Sequence, residues 1–187
     1  MSEALPMVID ALQFAAVKHQ HQRRKDAART PYINHPITLL HVLQHTGQIS
    51  DPVVLISALL HDTVEDTETT FDEITARFGE AVAAVVAQVT DDKSLPKAAR
   101  KQHQVDHAAH LCDRAKLVKL ADKIANLRDL VASPPADWPP QRCHDYCQWA
   151  KQVVDGLRGI HPGLEAEFER IYATAIAQFP ALATDSH

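Results

Sequence analysis

At 187 residues, the chain is long enough to bury a sizeable hydrophobic core without disulfide bonds and short enough to form one domain. Hydrophobic residues make up 45% and charged residues 23% of it, and the net charge of −5 at pH 7 excludes a chain built as a whole to coat nucleic acid. None of the five glycines stands in the frame of a Rossmann or P-loop phosphate cradle, which argues against those nucleotide-binding folds.

Apolar residues recur at helical spacing along most of the chain, first in residues 3–22. We therefore predict an all-α, single-domain helical bundle over residues 1–187, with a core from about 4 to 178 and a loose tail after Pro180. Further helices are predicted to run from Pro36 to Gly47, to follow the capping box of Thr70 and Glu73, and to cover about residues 96–110, 114–131, 138–157 and 162–178.

The N-terminal segment and the cysteines indicate a cytoplasmic protein. Glu3 and Asp10 interrupt the first apolar residues, unlike a secretory signal, and no apolar run approaches the ~20 residues of a membrane span. The odd number of cysteines, three, favours reduced thiols. Cys143 and Cys147 lie four residues apart and either share a metal or pack as ordinary thiols. Without further ligands at zinc-finger spacing, packed thiols are favoured.

The segment from Val53 to Leu60 is apolar on all sides. Periodicity alone does not distinguish a buried strand from a buried helix here. The alanine and leucine content of the segment, and the absence of other strand-like segments in the sequence, favour a helix.

One imidazole and three carboxylates follow this apolar run directly, within residues 61–66. In a continued helix, Glu65 would lie one turn above His61, and Asp66 one turn above Asp62. Four polar groups above an apolar floor are costly unless a partner is present, and a divalent cation would provide one. The alternative is a helix end at which the acids are simply solvated.

Most of the twelve histidines have ordinary interpretations, but His35 is a candidate for the same site. It precedes Pro36, which restricts its backbone to extended conformations. Such a residue suits either a rigidly held ligand or a loop histidine that caps the following helix. A solvated helix face is favoured for the remaining spaced histidines, His41, His45, His103, His107 and His110, because no acid stands at the HExxH position.

Asp122 is a further candidate. It shares a helix face with Asn126 and Asp129, opposite the apolar stripe of the predicted helix. That face is expected to point to solvent, although Val118 and Ala125 flank it.

The order of His35, His61-Asp62 and Asp122 resembles the H…HD…D pattern of the HD superfamily of phosphohydrolases. More narrowly, the chain is similar over about residues 4–172 to the hydrolase domain of RelA/SpoT homologues. It resembles in particular the small stand-alone members, the metazoan SpoT homologues among them, and no segment remains for the synthetase domain of the long members. The matching strings are RRKD from Arg23, PYINHP from Pro31, ALLHDTVEDT from Ala58, VTDDKSLPK from Val89 and KLVKLADKIANLRDL from Lys116.

This resemblance implies a metal-dependent hydrolase of guanosine 3′,5′-bis(diphosphate) (ppGpp), which releases pyrophosphate from the 3′ position and leaves GDP. One divalent ion per chain, usually Mn²⁺ in this family, would be bound by His35, His61, Asp62 and Asp122. Imidazole and carboxylate ligands suit such an ion, but affinity alone does not select manganese over zinc or copper. Glu65 and Asp66 match the residues that act on the attacking water, and the sequence does not tell which takes the proton first.

Other matching positions imply contacts with a small nucleotide, and none with nucleic acid or a membrane. Arg24 matches an arginine that stacks on guanine, and Lys25 would meet phosphate, although on charge alone this basic cluster is equally well a solvated helix end. Lys97, Arg142 and Tyr146 resemble positions on the pyrophosphate side, and Asn126 resembles a residue near the ribose. Each of these also has an ordinary interpretation as a surface charge or a polar helix face.

Other functions are open on the sequence alone. The same metal site in another HD protein acts on a different nucleotide, such as the 2′-phosphate of NADPH, and the basic pair at residues 24 and 25 fits any of these substrates. A nucleotide-binding module without catalysis would lack a ligand or an acid, whereas all are present here. A helical interaction domain would not depend on metal. The sequence indicates neither an oligomeric state nor a regulatory partner.

Overall fold

The computed structural model describes residues 4–181, and this part of the chain is helical, which confirms the predicted fold class. The helices are α1 (Ala4–Lys18), α2 (Asn34–His41), α3 (Pro52–Leu60), α4 (Thr63–Asp66), α5 (Phe71–Phe78), α6 (Glu80–Val89), α7 (Lys97–His107), α8 (Asp113–Ala132), α9 (Pro140–Asp155) and α10 (Pro162–Gln178). A π-helical turn, Val42–Thr46, extends α2, and a 3-10 turn, Ala108–His110, extends α7. The tail beyond Ala181 lies outside the described residues, and the single-domain assignment stays a prediction.

The ambiguous apolar run forms helix α3, as predicted. Asp51 caps its start by accepting a hydrogen bond from the backbone N of Val53 at 2.9 Å, and Pro52 occupies the first turn, where its missing N–H leaves no helical bond unmade. Every residue from 54 to 60 is buried, because α3 contributes side chains to both hydrophobic clusters of the fold. Because α3 is buried on all sides, its C-terminal end lies in the interior of the protein, and so does His61, which follows it.

Helix α8 lies at the centre of the larger hydrophobic cluster and packs against α2, α3, α6, α9 and α10. The expectation that the face of Asp122 points to solvent is wrong. Asp122 is 8% exposed and Lys123 3% exposed, because α2 and α9 cover this face. The Lys123 ammonium, for example, lies 4.3 Å from the centre of the Trp149 ring on α9.

Two local predictions for α2 need correction. The helix begins at Asn34 rather than at Pro36, so His35 is helical and not extended. A proline in the first turn removes an N–H that has no intrahelical partner, and the helix therefore prevails over the usual preference of the residue before proline. Gly47 follows the last helical turn as predicted, but with a φ of −87° rather than a left-handed one. Glycine is needed because a Cβ there would lie 2.8 Å from the carbonyl oxygen of Leu43.

Thr70 caps helix α5 as predicted, since its side chain accepts a hydrogen bond from the backbone N of Glu73 at 3.2 Å. The Glu73 carboxylate does not complete the capping box. It accepts a hydrogen bond from the Lys18 ammonium at 3.0 Å, which ties the end of α1 to the start of α5. Gly79 separates α5 from α6 with a φ of +89°, a conformation that L side chains rarely adopt.

Helix α1 ends at Lys18, four residues before the predicted boundary of 22, and a folded-back loop connects it to α2. The Arg24 N–H donates to the carbonyl of Thr30 at 2.9 Å, and the Tyr32 N–H donates to that of Gln22 at 3.1 Å. The Asp26 carboxylate closes the loop by accepting from the backbone N and the hydroxyl of Thr30. The loop places Arg24 against α8, where it contacts Asn126 and Asp129.

Cys143 and Cys147 are buried free thiols in the larger hydrophobic cluster, which agrees with the interpretation as packed thiols. Within residues 4–181, no helix combines the length and the apolar composition that crossing a membrane requires.

Candidate metal centre and active site

The helix does not continue through the acid segment. Helix α3 ends at Leu60, and His61 and Asp62 form a turn before the short helix α4, whose first backbone bond runs from the Asp66 N–H to the Asp62 carbonyl at 2.9 Å. The Thr63 hydroxyl secures this turn by donating to the carbonyl of Leu60 at 2.7 Å. The turn places His61 in the interior, only 5% exposed, at the floor of a cavity.

Three side chains converge at this floor. His35, His61 and Asp62 each offer one ligand atom, and these atoms all lie within 4.8 Å of one another. The two imidazole rings are 5.3 Å apart between centroids. Side chains 26 residues apart in sequence therefore meet, because α2 packs against α3.

The orientation of the His61 ring suits a metal ligand. Its Nδ1 lies 2.8 Å from the carbonyl oxygen of Ala58, so Nδ1 carries the proton that is donated there. Nε2 therefore faces the carboxylates, 2.9 Å from Asp62 Oδ2 and 4.0 Å from Asp122 Oδ1, and it makes no hydrogen bond within the described residues. A buried nitrogen lone pair next to carboxylate oxygens is stabilised by a bound cation, either a proton or a metal ion.

The pKa values of the ionisable side chains at this floor depend strongly on one another. Burial would lower the pKa of His61, but the adjacent Asp62 carboxylate outweighs it and raises that pKa to about 9. Burial would raise the pKa of Asp62, but the His61 imidazole holds it well below its usual range. Burial lowers the pKa of His35, which favours the neutral ring that metals bind.

Asp122 reaches the same floor from the middle of α8. Its Oδ1 lies 3.2 Å from His35 Nε2 and accepts a hydrogen bond from the Asn126 amide at 2.6 Å. Its Oδ2 accepts a hydrogen bond from the Lys123 ammonium at 3.0 Å. Burial would raise the pKa of Asp122, but Lys123 and the two histidines hold it well below its usual value.

This donor set fits a divalent metal ion. It combines imidazole nitrogens with carboxylate oxygens and contains no thiolate, a choice suited to the harder and borderline divalent ions. Two buried imidazole nitrogens, His35 Nδ1 and His61 Nε2, lack hydrogen-bond partners within residues 4–181. Buried carboxylates that surround such a nitrogen are stabilised by a cation between them.

Glu65 and Asp66 lie one helical turn beyond the turn formed by His61 and Asp62, on the cavity wall. Glu65 accepts a hydrogen bond from the backbone N of Asp91 at 3.2 Å and lies 3.7 Å from the Arg100 guanidinium. Burial, with the nearby Asp62 carboxylate, raises the pKa of Glu65. Asp66 forms an ion pair with Lys93. The raised pKa makes Glu65 a stronger base than an ordinary carboxylate.

All the site residues predicted from the sequence line one cavity of about 450 Å³. A second cavity of about 600 Å³ adjoins it beneath the α1–α2 loop. The two share the lining residues Arg24, Lys25, Tyr32, His35, Asp66, Asn126, Trp138 and Tyr146. The combined space has the size of a nucleotide site.

The wall opposite the acids carries cations on aromatic rings. The Lys101 ammonium lies 4.6 Å from the Trp149 ring centre, and the Arg142 guanidinium 4.3 Å from that of Trp138. Burial and the neighbouring Lys97 lower the pKa of Lys101. Arg24 lies 5.7 Å from the Tyr32 ring centre. A wall of this kind attracts phosphate groups.

Arg24 is held by partners on α8. Its guanidinium donates hydrogen bonds to the carboxylate of Asp129 and, at 3.3 Å, to the Asn126 side-chain oxygen. Asn126 therefore contacts both Arg24 and Asp122. Burial raises the pKa of Tyr146, which keeps its hydroxyl protonated as a hydrogen-bond donor inside the cavity.

Several cavity residues were missed by the sequence reasoning. The Tyr32 hydroxyl donates a hydrogen bond to Asp62 Oδ2, and Tyr32 stands within the string PYINHP. Lys119, 8% exposed, donates to the carbonyl of Val89 at 3.1 Å and stands within the string around Asp122. Arg100 and Lys101 stand outside the matching strings, and helix periodicity gave no sign of them, whereas Trp149 lies in a C-terminal stretch that also resembles the family.

The other spaced histidines do not belong to this site. His103 and His107 are exposed on α7, with ring centroids 3.8 Å apart, and His41 and His45 stack at 4.3 Å. None of them joins a group of three metal-ligating side chains within the described residues. The solvated-face interpretation agrees with this placement.

The family model and two highly similar proteins indicate the same family for this chain. The family model described as HD domain matches residues 11–145. The guanosine-3′,5′-bis(diphosphate) 3′-pyrophosphohydrolase MESH1 of Xenopus tropicalis is 52% identical over 172 residues, covering 92% of this chain and 96% of that protein. The human protein of the same name is 51% identical over the same shares.

A solved structure gives the same result. It belongs to a metazoan orthologue of SpoT described as hydrolysing ppGpp and as having a role in starvation responses. It superposes with a TM-score of 0.87 at 46% identity, covering 94% of this chain and 97% of that one. The chain therefore belongs to the HD-domain family, within the group that the MESH1 proteins form.

Proposed function

We propose that this chain is a Mn²⁺-dependent ppGpp hydrolase, which releases pyrophosphate from the 3′ position and leaves GDP. The observation that carries the proposal is the convergence of His35, His61 and Asp62 within 4.8 Å at the floor of a nucleotide-sized cavity. The names of the relatives, which are similar along almost their whole length, supply the substrate.

His35, His61, Asp62 and Asp122 would hold one divalent ion per chain. When bound, such an ion supplies Lewis acidity, which favours deprotonation of water and offsets the negative charge of a phosphoryl group. The family resemblance supports manganese, whereas the ligand set alone supports only a divalent ion. Asn126 and Lys123 orient Asp122 through hydrogen bonds to its two oxygens.

Glu65 accepts the proton of the attacking water, and Asp66 relays it. The raised pKa of Glu65 and its position on the cavity wall support this order. General acid–base help contributes about 10²–10⁴-fold, whereas phosphate-ester hydrolysis requires enhancements of up to about 10²¹-fold. Charge neutralisation and positioning must supply the rest.

The cationic wall binds the nucleotide. The planar Arg24 guanidinium, oriented by Asp129, stacks on the guanine base, and Lys25 meets phosphate. Lys97, Arg142 and Tyr146 surround the leaving pyrophosphate, and Asn126 lies near the ribose. The cations on this wall and the free cysteines support a small anionic substrate and a cytoplasmic location.

Purified protein with Mn²⁺ and ppGpp tests the proposal, with pyrophosphate release as the readout. We expect Asp62→Ala to lose the metal, and Glu65→Ala to lose turnover while retaining it. Parallel assays with NADPH and nucleoside triphosphates separate the alternative substrates. Activity that survives both substitutions would refute the assigned site, and a preference for NADPH would refute the substrate but not the metal centre.

A further inference from the structure

A partly buried chain of hydrogen bonds leads from the buried His19, at the end of α1, to the catalytic wall. His19 Nδ1 lies 2.6 Å from the side-chain oxygen of Gln22, and the Gln22 amide nitrogen donates to Asp66 Oδ2 at 2.8 Å. The other oxygen of Asp66 pairs with Lys93. Both oxygens of Asp66 therefore have donors, one exposed and one inside the protein.

The chain has a fixed direction. The Asp66 carboxylate, paired with Lys93, accepts hydrogen bonds, so the Gln22 group that faces it must be the NH₂. The Gln22 oxygen then faces His19, which must donate a proton from Nδ1. The tautomer of His19 thus determines how Gln22 holds Asp66.

The burial of His19 fits this role. The residue is 2% exposed, and burial lowers its pKa, so the ring is neutral and has a single N–H to place. Its Nε2 has no partner within the described residues, so the hydrogen bond to Gln22 is the one polar contact that holds the ring. The His19 ring also lies 4.8 Å from that of Tyr32, whose hydroxyl donates to Asp62.

We propose that His19 and Gln22 are positioning residues, which hold Asp66 in the orientation needed to move the proton of the attacking water. The proposal rests on the proposed function of Asp66, but it concerns two side chains that touch neither the cavity's metal ligands nor the leaving group. Their hydrogen bonds reach the catalytic wall through Asp66. A displacement of about 1 Å at a catalytic group can cost on the order of 10²-fold in rate.

Two substitutions of His19 separate positioning from packing. Asparagine places its side-chain NH₂ near the position of Nδ1 but leaves a void, whereas phenylalanine fills the space without a donor. We expect His19→Asn to retain turnover within about threefold while lowering the melting temperature. We expect His19→Phe to lose kcat by about 10–100-fold with KM changed by less than about threefold. If His19 only fills space, the order of the two kcat values will be reversed.

Gln22→Met provides the second arm, because it keeps the length of the side chain and removes the donor. We expect the same loss of kcat as in His19→Phe, unchanged Mn²⁺ affinity by calorimetry, and no further loss in the double variant, since both changes break one chain. Additive losses would refute the proposal. The exposed neighbour His21, changed to Phe, is the matched control and should behave as wild type.

An NMR measurement distinguishes failure of this proposal from failure of the proposed function. Wild-type protein that does not hydrolyse ppGpp refutes the function, whatever His19 does. The ¹⁵N shifts of His19 report its tautomer without any substrate, and we expect a neutral ring protonated at Nδ1. A neutral ring protonated at Nε2 would refute the positioning role even in an active enzyme, because Nδ1 would then have no proton to donate to Gln22.

Discussion

The acidic and the basic sides of the cavity are built in opposite ways. On the acidic side, Asp62 and Asp122 are held by donors from other elements, among them Tyr32 and Lys123. On the basic side, Lys101 and Arg142 lie over aromatic rings, and within residues 4–181 neither they nor Lys97 form an ion pair with a carboxylate, whereas Arg24 is paired with Asp129. The acidic side is therefore organised before any ligand arrives, whereas the proposed function assigns the anionic partners of Lys97, Lys101 and Arg142 to the substrate.

This contrast implies that stability and binding depend on different walls. A change on the acidic side should disturb both the fold and the metal, because it leaves buried groups without partners. A change on the basic side should disturb substrate binding and little else.

Asp122→Asn tests the acidic side and should have the largest effect. We expect Mn²⁺ affinity to fall at least about 100-fold, because a charged ligand is lost. The metal-free protein should lose about 3 kcal/mol of unfolding free energy, because the buried Lys123 loses its carboxylate. Calorimetry and urea unfolding in chelator measure the two effects. Asp129→Asn, on the same helix but partly exposed, should leave Mn²⁺ affinity unchanged.

Lys101→Met and Arg142→Met test the basic side. Each should raise KM about 10–100-fold, because a charge-assisted contact with phosphate is lost. The free energy of unfolding should change by less than about 0.5 kcal/mol, since no buried acceptor loses its donor. Lys151→Met, which removes a surface cation paired with Asp155, is the control and should leave KM unchanged. Strong destabilisation by either cavity variant would break the contrast between the walls.

The pH dependence of metal binding sharpens the comparison further. The raised pKa of His61, about 9, means that metal-free protein holds a proton which the metal must displace. Apparent Mn²⁺ affinity should rise roughly tenfold per pH unit between about 7 and 9. The contribution of this proton to the stability of metal-free protein is fully present below pH 6.5 and is lost as the pH rises through about 9. Metal titrations and thermal melts across this range measure both trends, and a flat affinity would contradict the assignment.

Glu167→Gln examines a carboxylate outside the cavity and should have the smallest effect. Glu167 joins α10 to α8 through Arg128, and Arg170 with Arg128 lowers its pKa to about 2. We expect a loss of about 1 kcal/mol above pH 4.5, which disappears as the pH falls through about 2. Urea unfolding at pH 7 and pH 3 measures it. A change in Mn²⁺ affinity here would mean that the effects of the acidic side are not local.

Helix starts were predictable where the signal is local. Thr70 and Pro162 mark the predicted starts of α5 and α10, because a cap bond or a proline acts within one turn of the residue that makes it. The boundary at Asn34 was missed, because the helical conformation of His35 depends on the packing of α2 rather than on its neighbour in sequence.

The resemblance to the H…HD…D pattern predicted which residues form the candidate site, but nothing in the sequence predicted that Asp122 is buried. The position of Asp122 on its helix indicated solvent, and only the contacts of α2 and α9 show that this face is covered. His19 and Gln22 carry no signal in periodicity or charge, since their role depends on the fold of the loop that brings them to Asp66.

The central position of α8 has a consequence for the folding of the chain during synthesis and for its unfolding on heating. The proposed ligands at residues 35, 61 and 62 are synthesised long before residue 122, which joins them only when α8 inserts among five other helices. A nascent chain therefore holds an incomplete cation site until the bundle closes. By the same geometry, withdrawal of α8 during heating opens the site and the core together, so release of the ion and collapse of the tertiary structure should be a single event.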